Sequence, residues 1–490
     1  MHKTLTTLII ILLFPILVFA QDDNVVKDFA KRVGDLQSVQ INEHLNVLQI
    51  TYDDDMFELV GINDQMQILW RSTFKGHPFS SNKFKGNVVT IASTEYNSKG
   101  SNNTYNAFLV DVTTGKLIAQ NQIFTNPDTY QQFPEIATGD GNFCKILIRQ
   151  SALERRGLYS YVFGYSKKMK EVNTITDLQT FELNDKLEVV NSFKPEIDAG
   201  MYLSSAFNNN GDLFISWLNG PTINVYRYSK ERSVHSKKLS IDIPAESIEV
   251  GENDDHHIMT LIPDEKDQNK VYYAIIYKST NKNPELNVGK FDFTNGKESS
   301  ATEEFTKKES KKLEKSFVKV NKKIDDPDFS SFQIELKYAN EVNGKLVVAL
   351  ASYSMYSSDK GSVTIDYATL INGYDLDLNQ KFQQLMPVKS SNPFLKLYNG
   401  YHIANDKLNI VSNYSSSMLN GHYQALGVLD LNTGEWDKMD ILSKKHINNS
   451  DFVDGRGIMW FGNNYIVPYC NPKSMVSLVR AEVTLQQNQY

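Results

Sequence analysis

The stretch Leu109-Val110-Asp111-Val112-Thr113-Thr114-Gly115-Lys116 alternates apolar and polar residues and then closes on a glycine. The chain repeats this form at Lys290-Phe291-Asp292-Phe293-Thr294-Asn295-Gly296-Lys297 and again at Val428-Leu429-Asp430-Leu431-Asn432-Thr433-Gly434-Glu435. An alternating strand that runs into a Gly-closed turn is how a sequence writes a β-hairpin, and a hairpin that recurs along a chain marks a repeated β unit. Degenerate copies stand at 59–64, 181–186, 225–230 and 374–379, and a final strand stands at 478–483.

A second piece precedes many of these copies: a turn with Gly or Asn, then an alternating apolar run, at 85–91, 141–148, 210–215, 343–348 and 405–411. Pairs such as Asn210-Gly211 and Asn343-Gly344 supply the positive backbone angles of a tight hairpin. These runs read as the inner strands of successive small sheets. The two pieces mark seven or eight units spaced about sixty residues apart, and four-stranded units repeated around an axis form propellers. The expected fold class is therefore all-β, a β-propeller of seven or eight four-stranded blades, with long loops making up the extra length. A tandem of two-sheet sandwiches is the other architecture this pattern allows.

The first twenty residues carry Lys3, then an apolar run from Leu8 to Phe19 broken by Pro15, and close on Val18-Phe19-Ala20. That is the layout of a secretory signal, 1–20, removed before Gln21. The alternative is an uncleaved anchor, but the apolar run falls short of the ~20 residues a bilayer span needs. No cysteine lies near the cleavage point to carry a lipid. Residues 21–490 are thus expected as one domain, secreted or periplasmic, with no membrane segment. The net charge of -7 gives no basic footprint, which argues against a nucleic-acid partner.

Of the two cysteines, Cys144 and Cys470, each sits in a strand-like run. An oxidising compartment permits a bond between them; the plainer reading is two separately buried small side chains. Helical patterning is sparse. One candidate covers 23–36, with Val26, Phe29, Ala30 and Val33 on one face. The other covers 303–315 inside a charged insertion near 299–325, rich in Glu and Lys. That segment is either a docking arm for an acidic or membrane partner, or a solvated insertion whose charges neutralise each other at helical spacing. Asn-X-Ser/Thr triplets at Asn102, Asn413 and Asn448 matter only in a eukaryotic host.

The 110–116 piece resembles the repeat of quinoprotein-type and kelch-type β-propellers. The run Asn63-Asp64-Gln65-Met66-Gln67-Ile68-Leu69-Trp70 is similar to the turn-to-strand stretch in which such repeats end on Trp. The resemblance implies a ring of blades with a central channel and loop-built faces. It does not extend to a quinone cofactor: Trp is confined to Trp70, Trp217, Trp436 and Trp460, and no cysteines are adjacent.

Asp254-Asp255-His256-His257 is the densest set of metal-ligand side chains, but neighbours on an extended chain point to opposite sides. The acidic runs Asp53-Asp54-Asp55 and Asp325-Asp326-Pro327-Asp328 lack the alternation and glycine of a calcium loop. Asp375, Asp377 and Asn379 do alternate, yet Gln380 and Met386 stand where such a loop needs Gly and a bidentate Glu, so they read as the outer face of a strand. Nucleophile-elbow, His-Glu zinc and phosphate-loop motifs are absent. No catalytic, cofactor or metal residue is assigned. The four Trp are the anchors worth mutating, each more at home in a core than in a contact. The expected function is a non-enzymatic binding module for a protein, glycan or cell-surface component; the alternative is a secreted hydrolase or lyase with its site in the central channel.

Overall fold

A computed structural model describes residues 25–29, 33–52, 55–94, 103–126, 134–151, 175–196, 201–219, 222–230, 234–239, 259–278, 283–317, 322, 324, 326–329, 333–358, 361–392, 398–415, 422–445, 452–471 and 475–482. The signal-type leader, Asn102, Asn448, Asp53, Asp54, 254–257 and Asp325 lie outside the described residues.

The described chain is strand after strand, gathered into antiparallel meanders in chain order. Strand β1 (Val25–Phe29) stands apart and joins the last sheet. The first sheet is β2 (Val33–Asn42), β3 (Leu45–Tyr52), β4 (Met56–Asn63) and β5 (Ile68–Lys75). The second is β6 (His77–Phe84), β7 (Asn87–Ser93), β8 (Asn103–Val110) and β9 (Leu117–Asn126); the third is β10 (Glu135–Ala137), β11 (Cys144–Ser151), β12 (Ile175–Leu183) and β13 (Val189–Phe193). Next come β14 (Met201–Phe207), β15 (Leu213–Asn219), β16 (Thr222–Tyr228) and β17 (Val234–Leu239), then β18 (Met259–Pro263), β19 (Lys270–Lys278), β20 (Pro284–Asp292) and β21 (Glu298–Glu304). Helix α1 (Lys307–Ser316) leads to β22 (Gln333–Val342), β23 (Lys345–Ser358), β24 (Gly361–Asp375) and β25 (Gln380–Asn392). The meander β26 (Gly400–Ala404), β27 (Lys407–Ser415), β28 (His422–Asp430) and β29 (Trp436–Lys445) follows, tied to its predecessor by the parallel bridge Lys389 to Tyr414. The last sheet holds β30 (Phe452–Val453), β31 (Met459–Phe461), β32 (Asn464–Asn471) and β33 (Met475–Glu482), and β1 completes its outer edge by pairing antiparallel with β33.

Each sheet is buried between its neighbours. Val47 and Phe57 of the first sheet pack with Val88 and Phe108 of the second. Leu147 of the third meets Leu213 and Trp217 of the fourth, and Val411 of the penultimate meets Val453 and Tyr465 of the last. The circle closes where Leu36 and Leu48 of the first sheet pack on Ile466 and Leu478 of the last. Strands covered on both faces read as continuous apolar runs, and this is why β3 is buried along nearly its whole length. Sheets stacked face to face in a closed ring, with the N-terminal strand completing the last of them, make a β-propeller.

The recurring sequence piece has one place in every sheet: it is the third strand and the turn after it. Copies fall on β4, β8, β12, β16, β20, β24 and β28, and the final strand falls on β33. The turn chemistry explains why the piece is conspicuous. Asp111 Oδ1 accepts the backbone N–H of Thr113 at 2.9 Å and of Thr114 at 2.7 Å, and Asp430 does the same for Asn432 and Thr433. Gly115 and Gly434 sit at φ 70° and 72°, a region that costs other residues strain.

Three expectations are corrected. The second recurring piece is not among them: it forms second strands (β7, β11, β15, β23, β27), which lie inside their sheets. Residues 23–36 are not a helix: the segment contains β1 and the start of β2, because pairing with β33 and β3 overrides the helical spacing of its apolar residues. Asp375 and Asn379 are not a strand face. They cap the turn after β24, where Asp375 Oδ1 accepts the backbone N–H groups of Asp377 and Asn379. The charged insertion also divides, its first part serving as the outer strand β21 and only the remainder leaving the sheet as α1.

Candidate functional site

The first strands of neighbouring sheets touch one another around the ring, among them β2 with β6, β14 with β18 and β18 with β22. Short tight turns hold the end where first strands pass into second strands, as at Lys85-Gly86 and Asn343-Gly344. The opposite end is where each first strand begins, and there β11 ends at Ser151, β17 at Leu239 and β21 at Glu304. Charged and phenolic side chains collect at this second end, along the inner rim of the last two sheets and their neighbours.

Lys337 sits at a bulge in β22, where the register with β23 shifts between Leu336 and Tyr338, and it forms an ion pair with Glu335 in which the side chains are only 16% and 5% exposed. Burial opposes a charge on Lys337, but the Asp366 and Glu335 carboxylates outweigh it and hold the ammonium well above its ordinary pKa. Tyr401 of β26 stacks on Tyr338 of β22 with ring centroids 4.8 Å apart, and burial pushes its phenol up to about 12. Asn399 joins this cluster to the next: its amide donates to Tyr401 Oη at 3.3 Å and its oxygen accepts from Ser412 at 2.7 Å.

One residue earlier, Tyr398 carries the Arg456 guanidinium 3.8 Å above its ring centroid. Arg456 belongs to the short turn Gly455–Gly457, which lies so close to β26 that a Cβ on Gly455 would fall 2.2 Å from the backbone of Asn399 and Gly400. The same guanidinium donates to Asp454 Oδ2 at 3.0 Å and pairs with Asp35 at the start of β2. Burial raises the Asp35 carboxyl to about 6 against the pull of Arg456. His402, stacked on Trp460 at 4.7 Å, is lowered to about 4 by burial. The result is a polar arc running from Glu335 through Tyr401, Asn399, Tyr398 and Arg456 to Asp35, crossing from the sheet of β22 to that of β2. Its acids and bases satisfy one another, so the arc presents aromatic faces and hydrogen-bonding edges to a ligand.

The sequence singled out none of these groups. The one local signal was Asp454-Gly455-Arg456-Gly457, where two glycines bracket an arginine so that the backbone can approach its neighbour. The residues it did single out have structural work. Trp70 Nε1 donates to Val112 O at 2.6 Å between the first two sheets, Trp217 meets Tyr202 edge to face, Trp436 covers Gly427, and Trp460 stacks on His402 and Tyr465. Asp328 gives its backbone carbonyl to Ser352. Asn413 is buried with its amide bridging both polar groups of the Val453 backbone, at 2.8 Å each, which closes it to glycosylation. Cys144 and Cys470 lie in separate hydrophobic clusters and are not bonded to each other. Among the described residues no three His, Cys, Asp or Glu side chains converge as a metal site, and no helix is long and apolar enough to cross a membrane.

No protein-family model matches the chain, and no curated protein is similar to it in sequence. Solved structures similar to it include Saccharomyces cerevisiae Sqt1, with a TM-score of 0.46 and 10% identity over 94% of this chain and 98% of that one. The β-propeller domain of the Trilobed protease from Pyrococcus furiosus aligns with a TM-score of 0.40 and 10% identity, covering 84% and 99%. The WD40 domain of SCAP from fission yeast aligns at 0.39 and 11%, covering 95% and 96%.

Proposed function

We propose that the protein is an exported interaction module: an eight-bladed propeller, secreted or periplasmic, that holds a protein, glycan or cell-surface partner on the face where its first strands begin. The observation that supports this reading is the polar arc at the inner rim of that face. It gathers Tyr398, Tyr401 and Arg456, residue types enriched where proteins make contact, in a setting whose charges are already paired and which offers no nucleophile coupled to a base. A hydrolase or lyase is the second reading, carried by the Glu335 and Asp366 carboxylates on either side of Lys337.

The test is capture and cross-linking of partners from the envelope fraction of the source cell, together with a glycan array. Wild type is compared with Tyr398→Ala/Tyr401→Ala and with Asp111→Ala at the far-end turn. A partner held by wild type and Asp111→Ala but lost from the rim variant supports the module. Loss from both variants, or turnover of a glycan or peptide that stops in Glu335→Gln, overturns it. An exported product that does not begin at Gln21 removes the secretory part alone.

A further inference from the structure

The charged segment reads either as a docking arm or as a solvated insertion whose charges offset each other, and where its acids point bears on the choice. Helix α1 opens with a capping box: Glu309 N–H donates to Thr306 Oγ1 at 3.2 Å and the Thr306 N–H donates to Glu309 Oε2 at 3.2 Å. The other helical acid, Glu314, accepts the backbone N–H of Phe329 at 2.9 Å. Glu303 and Glu304 lie on β21, where they take amide hydrogens from Gln383 and Asn283, each at 2.6 Å. Every acid of the segment is therefore committed to holding structure.

The bases are left over. Lys307, Lys308, Lys311, Lys312 and Lys315 are all exposed, and among the described residues none of them is in an ion pair. Spacings of one, three and four residues put the five on one helical face. The opposite face is fixed to the body by buried Ser310 and by Leu313, which packs on the core between the sheets of β20 and β23. A chain of net charge -7 thus carries five exposed ammonium groups along one face of a helix whose carboxylates are Glu309 and Glu314 alone. It follows the outer strand β21 and packs against the outer strand β25 of the next sheet.

We infer that this ridge binds a linear acidic polysaccharide, one carrying carboxylate or sulfate groups along its length. Lys307, Lys311 and Lys315 recur every four residues, about 6 Å apart at 1.5 Å per residue, a row of point charges suited to a polymer of repeated anions. Protein interface cores are depleted in Lys and enriched in aromatics and Arg, and the exposed side of α1 has neither. A membrane-surface helix needs a free apolar face, and the apolar face of α1 is already turned into the protein. The inference deepens the proposed binding role by naming a ligand class, and it rests on that reading for the role alone.

The test measures binding of the full mature chain to alginate, dextran sulfate and neutral dextran across a salt series, with phosphatidylglycerol vesicles in parallel. The variants are Lys307→Gln/Lys311→Gln/Lys315→Gln, the same three positions changed to Arg, and Lys75→Gln/Lys116→Gln/Lys186→Gln, exposed lysines of strand β5 and of the turns before β9 and β13. Circular dichroism checks that each folds. The proposal expects binding to at least one anionic polymer and none to neutral dextran. The helix Gln variant then weakens binding about tenfold or more and flattens the salt dependence by about two to three ions, while the Arg and Lys75/Lys116/Lys186 variants stay within about twofold of wild type. No binding to either anionic polymer, equal losses in both Gln variants, or stronger retention on vesicles than on the polymers each overturns it. Rim-dependent partner capture that persists in the helix Gln variant shows that the interaction module stands even if the ridge fails.

Discussion

Arg456 and Asp35 are 421 positions apart in the chain, and their ion pair ties the last sheet to the first. Backbone acceptors reinforce the same seam: Ser38 Oγ donates to Ile458 O at 2.6 Å, and Asn46 donates to Trp460 O at 2.9 Å. Replacing Arg456 by Met keeps much of the volume over Tyr398 but leaves Asp35 and Asp454 facing each other without a cation. Losing one partner of a largely buried pair costs about 3 kcal/mol, reduced here because Asp35 is 43% exposed. Urea denaturation of Arg456→Met is expected to show a loss of about 1–3 kcal/mol, whereas Asp35→Asn, which keeps an acceptor for the guanidinium, loses under about 1 kcal/mol. Equal losses in the two variants contradict the seam as drawn.

Gly61 and Trp70 face each other across β4 and β5, and a Cβ on Gly61 would lie 2.4 Å from the indole. The same arrangement recurs at Gly373 with Phe382, and Trp436 of β29 covers Gly427 diagonally from its position opposite Leu429, so a third-strand glycine is the seat of an aromatic from its neighbour. Gly61→Ala forces Trp70 out of this seat and strains its hydrogen bond to Val112. The expected result is destabilisation of about 2–3 kcal/mol with a red-shifted tryptophan emission. Trp70→Phe, which loses the N–H but keeps a ring, is expected to cost about 1–2 kcal/mol.

The repeat was legible because turn chemistry is local. Asp111, Asp292 and Asp430 each cap the turn that follows them within three residues, so the signal fits inside an eight-residue window. First strands such as β10 and β26 are short and mixed in character, and nothing local distinguishes them from loops. The N-terminal segment misled because Val26, Phe29, Ala30 and Val33 are spaced for a helix, while the partner that makes β1 a strand is at the other end of the chain. The polar arc was invisible for the same reason: Lys337, Tyr401, Arg456 and Asp35 meet only once the ring has closed. The lysines of α1 were legible as charge, but that Glu309 and Glu314 turn to Thr306 and to the Phe329 backbone depends on the folded helix.

Both thiols are buried, and burial pushes the Cys144 thiol up to about 12. A thiol that rarely ionises is a poor nucleophile, so native protein at pH 8 is expected to leave Ellman's reagent unreacted over minutes. In guanidinium chloride without reductant both cysteines then react, and the intact mass after alkylation carries two adducts, matching the two cysteines of the chain. A mass with no adduct points to a disulfide and contradicts the separate hydrophobic clusters.

Acid titration separates two groups at the rim that act in opposite directions. His402 is held at about 4 against an ordinary 6.5 by burial beside Trp460, so between those values the unfolded chain binds the extra proton. Its contribution is fully present above pH 6.5 and is lost as the pH falls toward 4, by up to about 3 kcal/mol. Asp35 has the reverse sign: its folded value of about 6 lies above the ordinary 3.8 because of burial, so the native state holds the proton in that window. Its contribution is present below pH 4 and is lost as the pH rises through 6, and solvent around the half-exposed carboxyl keeps it under about 1 kcal/mol. Wild type is therefore expected to lose stability on going from pH 7 to pH 4.5. His402→Phe preserves the stack on Trp460 and removes the larger effect, so its loss over the same interval is expected to be smaller by about 1–3 kcal/mol. Asp35→Asn is expected to steepen the loss slightly. Parallel denaturation series at pH 7, 6, 5 and 4.5 read both effects, and a His402→Phe profile parallel to wild type would show that the imidazole titrates freely in water instead of within the stack.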